Sequence, residues 1–208
     1  MKLKITNLDN GGLKIDQSAY INSILKQFNM IDCNGTDNPS TTIDLTNPDL
    51  FIDTSSILDD IHHGLYPKII GKLLYLSNTT RLDITFATNM LSRFLHAPTE
   101  KHLQAAKIIL RYLKTTSSDG LVYTNGKQIT GTIVNNGTVN IDCFTDSDWG
   151  SDKLSRASTL GFVLLINGNP VQWISQRQKS ISQSSSEAEF VAANSGARES
   201  IWFYQLLN

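Results

Sequence analysis

Close to Gly120 the hydrophobic pattern of this chain changes its period, and that change constrains the fold more than any other feature. Upstream, between Tyr66 and Lys114, apolar residues recur at intervals of three and four in PKIIGKLLYLSN, DITFATNMLSRFL and TEKHLQAAKIILRYLK. That is the spacing of one helical face, and it predicts three helices, with Pro67 at the start of the first and Thr99 as N-cap of the third. Downstream the pattern alternates. STLGFVLLING and NPVQWISQRQK read as two strands hairpinned through Asn167-Gly168-Asn169, and several shorter strands with Asn-Gly turns precede them between Leu121 and Asp146. SSSEAEFVAANSGARESIWFYQLLN then opens on stacked serine caps and predicts a helix running to the last residue. Helices and strands segregated along the chain in this way predict an α+β fold, a helical region followed by a β-β-β-α region.

The chain opens on a further hairpin. KLKITNLDNGGLKIDQ alternates on both sides of Asp9-Asn10-Gly11-Gly12, residues that tolerate positive φ. Ser18 precedes a short helix with Ile21, Ile24, Leu25 and Phe28 at helical spacing, and a Gly/Asn/Pro/Thr-rich linker follows from Asn29 to Leu50. The 208 residues, 40% of them hydrophobic, are enough for two small domains, placed here at 1–130 and 131–208. With 18 Lys plus Arg against 19 Asp plus Glu there is no global positive field, so a nucleic-acid partner would need a local basic face. Cys33 and Cys143 are far apart and outside any metal-ligand spacing, and no run of eighteen apolar residues occurs. These features lead us to expect a soluble, intracellular protein, cytoplasmic or nuclear.

Chemistry concentrates in DCFTDSDWGSD, Asp142 to Asp152, with four acidic residues in eleven positions at a predicted strand exit. Alternation puts Val139, Ile141, Cys143 and Thr145 on one face, and Phe144, Asp146 and Asp148 on the other. A solvated strand end accounts for such a cluster as well as a metal site does. In the last helix Glu187 and Glu189 are two residues apart, roughly 200° of rotation, so only one can face Asp146. Ser184/Glu187 and Ser186/Glu189 both have capping-box spacing, and spacing does not choose between them. Ser184, Ser185 and Ser186 lack a nucleophile elbow and read as caps. His62, His63, His96 and His102 show no paired ligand spacing. Lys107, Arg111 and Lys114 share one stripe of the third helix, a solvated face or a nucleic-acid contact, and Arg156, Arg177 and Lys179 add positive charge near the acidic cluster.

Several of these segments resemble, in order and in wording, the reverse transcriptase and ribonuclease H region of a copia-type retrotransposon Pol polyprotein. They are YPKIIGKLLYLSN, LSRFLHAPTEKH, ILRYLK, TDSDW and SSSEAEF, and the resemblance covers nearly the whole chain. One departure is Leu82, where the family has proline in a TRPDI motif; it bears on a local turn. The resemblance implies a thumb/connection-like region followed by an incomplete ribonuclease H-like mixed sheet with one helix. It makes Asp146 the first ribonuclease H carboxylate and Glu189 the second, and leaves Glu187 as the cap. The family's nuclease chemistry uses Mg²⁺ held by four acidic groups, so Asp146 and Glu189 alone imply a weak, vestigial metal site.

By the same resemblance the family's Y-x-D-D polymerase hairpin would lie before Met1, and its third and fourth nuclease carboxylates after Asn208. ILDDI, Ile57 to Ile61, lacks the tyrosine and reads as a solvated loop or helix start. The expectation is a truncated Pol fragment without catalytic activity. Two alternatives remain: a ribonuclease H whose missing carboxylates come from a partner or from Asp148 and Asp152, and a non-catalytic module that binds nucleic acid or intact Pol. Implied partners are an RNA/DNA hybrid or primer-template duplex. With its sheet unfinished, the second region is expected to leave Phe162, Leu164 and Trp173 without cover and to be marginally stable.

Overall fold

The computed structural model describes residues 3–39, 60–124, 139–152 and 155–207, with backbone alone at 60–63. The linker beyond Pro39, most of ILDDI, the side chains of His62 and His63, and the strands expected between 125 and 138 lie outside the described residues. Strands β1 (Lys4–Asn7), β2 (Leu13–Asp16) and β3 (Gly120–Tyr123) form one sheet in the order β1-β2-β3. The β1–β2 turn is the one read from the sequence. Gly11 takes φ 78°, the Leu8 N–H donates to Gly12 O at 2.8 Å, and the Asn10 side chain accepts from the Gly12 N–H at 3.0 Å. The chain divides into two compact units, Met1–Thr6 with Ile15–Leu121, and Asn7–Lys14 with Val122–Asn208.

The first unit is helical: α1 (Ser18–Gln27), α2 (Asp60–Ser77), a 3₁₀ turn (Leu82–Ile84), α3 (Thr85–Ser92) and α4 (Glu100–Thr115). Its core takes Ile21, Ile24 and Leu25 from α1, Ile69, Ile70, Leu73 and Leu76 from α2, and Leu103, Ala106, Ile109, Leu110 and Leu113 from α4. Each buried Leu or Ile contributes roughly 1.5–3 kcal/mol of transfer free energy. Pro67 does not start its helix, as the sequence suggested, but lies inside α2. The helix extends upstream because Tyr66 is fully buried and its hydroxyl donates to Leu91 O at 2.7 Å, so tertiary packing anchors a turn that proline alone would end. Burial pushes the Tyr66 phenol up from its ordinary pKa.

Arg81 is the largest fully buried side chain among the described residues, and it is fully engaged. Its guanidinium donates from Nε to Asp83 Oδ1 at 3.0 Å and from Nη2 to Asp83 Oδ2 at 2.7 Å. It also donates to Thr116 O at 2.9 Å and to Thr116 Oγ1 at 2.6 Å, and it lies 5.4 Å from the Tyr112 ring centroid. Tyr112 closes the ring of contacts by donating its hydroxyl to Asp83 Oδ2 at 2.8 Å. Burial by itself would lower the guanidinium's pKa and raise the carboxyl's. The paired hydrogen bonds and charges outweigh it, so Arg81 is shifted up and Asp83 down. The arginine and aspartate flanking Leu82 thus tie the 3₁₀ turn to the C-terminal end of α4.

The second unit holds β4 (Ile141–Asp148), β5 (Thr159–Ile166), β6 (Asn169–Arg177) and α5 (Ser185–Leu207), the β-β-β-α order expected from the sequence. The three strands are antiparallel in the order β4-β5-β6. β5 and β6 join through Asn167 (φ 50°) and Gly168 (φ 76°), both left-handed, which matches the twist of a two-residue hairpin. The register aligns Thr145, Phe162 and Ile174 in one row and Cys143, Leu164 and Gln172 in another. α5 packs on this face: Leu160, Phe162 and Ala192 form a cluster with Cys143, Ile174 and Val191 against it. Phe162 (5% exposed) and Leu164 (0%) are therefore covered, which corrects the expectation that they would be bare. The opposite face carries the row Phe144, Val163 and Trp173; there Phe144 is exposed and Trp173 half-buried. The end of α5 also exposes Ile201, Trp202, Tyr204, Leu206 and Leu207. Among the described residues no helix is long and apolar enough to cross a membrane.

Candidate functional site

The acidic stretch forms the end of β4, and the start of α5 is pinned to it. Trp149, the residue after β4, donates its indole N–H to Ser182 O at 3.0 Å. Ser182 donates its hydroxyl to Gln178 Oε1 at 2.9 Å, and Gln178 donates its amide to Ala188 O at 3.0 Å, in the first turn of α5. Gln178 and Ser182 are buried, so this chain of bonds is shielded from water.

With the helix start fixed, the two glutamates separate. Glu187 lies in the cap: its N–H donates to Ser184 Oγ at 3.1 Å and its carboxylate accepts from the Gln183 N–H at 2.7 Å. Glu189 turns toward the sheet, where its carboxylate accepts from the Ser147 backbone N–H at 3.3 Å. Ser147 directly follows Asp146, so the geometry makes the choice that spacing left open and brings Glu189 to the end of β4. Asp146 is exposed and stands in the row with Gly161 and Ser175, alternating with the α5-facing Thr145 as the sequence pattern required. A Cβ on Gly196 of α5 would lie 2.6 Å from Thr145 Cγ2 and 2.8 Å from Cys143 Sγ, which identifies the face Thr145 presents to the helix.

The other acids have separate surroundings. Asp152 accepts from Arg177 Nη1 at 3.2 Å and from the Ser155 N–H at 3.1 Å, closing the loop after β4. Asp148 is exposed at the strand end. Among the described residues no group of three or more His, Cys, Asp or Glu side chains gathers in a way that could hold a metal ion. Cys33 and Cys143 are free thiols.

In the first unit, Arg111 donates from Nε to Asn34 O at 2.6 Å, and Lys114 donates from Nζ to Cys33 O at 2.6 Å. Two of the three stripe cations on α4 thus fasten the loop after α1; Lys107, one turn back, is half-buried. Nothing in the local sequence signals this contact, because loop and helix are 77 and 81 residues apart in the two bonds. His102 is also structural. It is buried, stacks on Phe94 at 4.2 Å, and accepts through Nδ1 from the Thr99 N–H at 3.0 Å, the reciprocal half of a capping box. Burial lowers its pKa to about 4. The T-x-x-H spacing was the available signal for this role.

The chain is similar over 94% of its length, at 37% identity, to the retrovirus-related Pol polyprotein from transposon RE1 of Arabidopsis thaliana, and it spans 12% of that relative's length. An uncharacterized mitochondrial protein of the same plant is 32% identical over 92% of this chain and 72% of its own. The secreted RxLR effector protein 161 of Plasmopara viticola is 35% identical over 66% of this chain and 89% of its own. No family model and no solved structure matches. Similarity over 94% of this chain to a stretch that makes up 12–14% of three transposon polyproteins, together with the ordered motifs now placed on an α+β fold, establishes that the chain belongs to the family of copia-type, retrovirus-related Pol polyproteins.

Proposed function

We propose that the second unit is part of a ribonuclease H-like centre in which Asp146 and Glu189 face a divalent cation, that the first unit derives from the reverse transcriptase region, and that the chain by itself neither extends primers nor cleaves RNA. The observation that supports this reading is the Glu189 carboxylate at the Ser147 N–H, at the strand end where Asp146 stands exposed on the face turned from α5, while Glu187 is held in the cap. The chemistry of the donor set fits Mg²⁺, but as a partial site. Asp146 offers an exposed carboxylate, and Glu189 offers one that already accepts a backbone hydrogen bond. When bound in pairs, such ions activate water and stabilise the leaving oxygen of a phosphodiester. Mg²⁺ gives up its waters only to several fixed oxygens, so two carboxylates support binding on the order of millimolar or weaker. In the first unit Lys107, with the N–H groups that Arg111 and Lys114 do not spend on the loop after α1, would contact the phosphates of an RNA/DNA hybrid or primer-template duplex, and intact Pol is a second partner class.

The test is a cleavage assay on RNA/DNA hybrid with Mg²⁺ or Mn²⁺, run beside Asp146→Asn and Glu189→Gln. We expect no metal-dependent cleavage, and weak Mn²⁺ binding that either substitution removes. Cleavage abolished by both substitutions would replace this reading with an active ribonuclease H. Metal binding indifferent to both would remove the two residues from any site.

A further inference from the structure

On the far end of α5 from the two glutamates, a surface concavity of about 510 Å³ is lined by Val171, Gln172, Arg198, Glu199, Trp202 and Phe203. Its size falls in the range of small-molecule sites, roughly 300–1,000 Å³. Arg198, Glu199, Trp202 and Phe203 follow at i, i+1, i+4 and i+5, so one helix face supplies all four, and β6 supplies the other two. The indole of Trp202 is half-exposed and braced by Phe203, centroids 4.8 Å apart at 81°. An aromatic plate held by a second ring is a stacking platform of low conformational cost. Glu199 is oriented by Gln172, whose Nε2 donates to its Oε2 at 3.2 Å, which leaves Oε1 as an acceptor. Arg198 is exposed one turn before the indole, and among the described residues no carboxylate lies within ion-pair distance of it.

We infer that this concavity binds a nucleotide: a planar base stacked on Trp202, an exocyclic amine donated to Glu199, and a phosphate at the Arg198 guanidinium. Platform, acceptor and cation are the three chemistries such a ligand needs, on one helix face. An apolar peptide would use the platform but leave the Arg198 and Glu199 charges unanswered, so the charged rim favours the nucleotide. One stacked base and one charge contact correspond to a Kd on the order of 1 mM. The inference does not depend on Asp146 or Glu189, and its failure would leave the nuclease reading untouched.

The experiment follows the three indole N–H signals of the full chain by nuclear magnetic resonance, with Trp202 identified by Trp202→Phe, during titration with AMP, CMP, UMP, adenosine and ribose 5-phosphate. We expect a saturable shift confined to Trp202 with AMP and CMP, and weaker binding, by about tenfold, of adenosine and of UMP, which lacks the amine. Arg198→Gln should reduce AMP to the adenosine level, and Glu199→Gln should erase the preference of AMP over UMP. Trp202→Leu, at an exposed position, should remove saturable binding read at the ligand's own resonances while leaving the melting curve unchanged. No saturable shift at ~20 mM ligand, an equal response to ribose 5-phosphate, or shifts centred on Trp149 or Trp173 would each overturn the inference.

Discussion

Arg81 and His102 show how single buried polar groups are accommodated in the first unit, and each fixes a different dependence on conditions. The Arg81 side chain is 1% exposed and that of Asp83 34%, so the pair is asymmetric: the cation is sealed in and the anion keeps some water. Removing one partner of a buried pair strands the other, at about 3–5 kcal/mol. Asp83→Ala should therefore cost that much in urea denaturation, because it strands the sealed guanidinium, and Asp83→Asn less, because the amide oxygen still accepts from Arg81 and Tyr112. Equal, small losses would show the pair to be incidental. Asp83 has a depressed folded pKa, so its contribution is present above the ordinary carboxylate range and is lost as pH falls through the folded value.

His102 acts at higher pH. Its folded pKa is about 4 against an ordinary 6.5, so between those values the unfolded chain takes a proton that the folded one refuses. Stability should be intact above pH 6.5, fall by up to about 3 kcal/mol toward pH 4, and stop falling from this source below it. Because Nδ1 accepts from the Thr99 N–H, protonation would also convert the cap's acceptor into a donor. His102→Gln keeps an N3 side chain able to cap while removing the titration. Urea midpoints measured from pH 7 to 4 should slope in the parent and flatten in this variant; an unchanged slope would assign the titration elsewhere.

At the scale of elements, the hairpins and the Thr99 cap were legible because they rest on local backbone rules. Asn167-Gly168 specifies a left-handed two-residue turn wherever it occurs between strands, and the structure has it. Pro67 was misread because its rule is local while the outcome was decided by Tyr66, anchored on a carbonyl 25 residues away. The cover over Phe162 and Leu164 was misread for a related reason: the alternation assigns residues to faces, but not which face a single helix takes. Gly196 is the residue that settles it. Substituting alanine would raise helix propensity by about 1 kcal/mol, yet its Cβ would overlap Thr145 Cγ2 and Cys143 Sγ, and overpacking costs about 1–3 kcal/mol. Gly196→Ala should therefore lower the melting temperature of the second unit, and Thr145→Ser in the same chain should restore part of it. A raised melting temperature for the single variant would show that helix and sheet separate easily.

Across the whole molecule, what the sequence carried well was type and order: helical region, β-β-β-α region, and the family to which the motifs point. What it carried poorly was convergence. Glu187 and Glu189 were equivalent by spacing and became distinct only once Trp149 and Gln178 had fixed where α5 begins. Arg111 and Lys114 looked like open charges until the loop at Cys33–Asn34 was placed beside them. Side chains that meet across many residues leave no mark in any local window. The contact between Glu189 and Ser147, 42 residues apart, is of this kind. It gives the site a clock as well as a geometry. The Ser147 amide hydrogen is held by a side chain on another element, so we expect its exchange rate to follow the comings and goings of that carboxylate, and any cation that draws Glu189 away to release the amide to water whether or not a bond is ever cut.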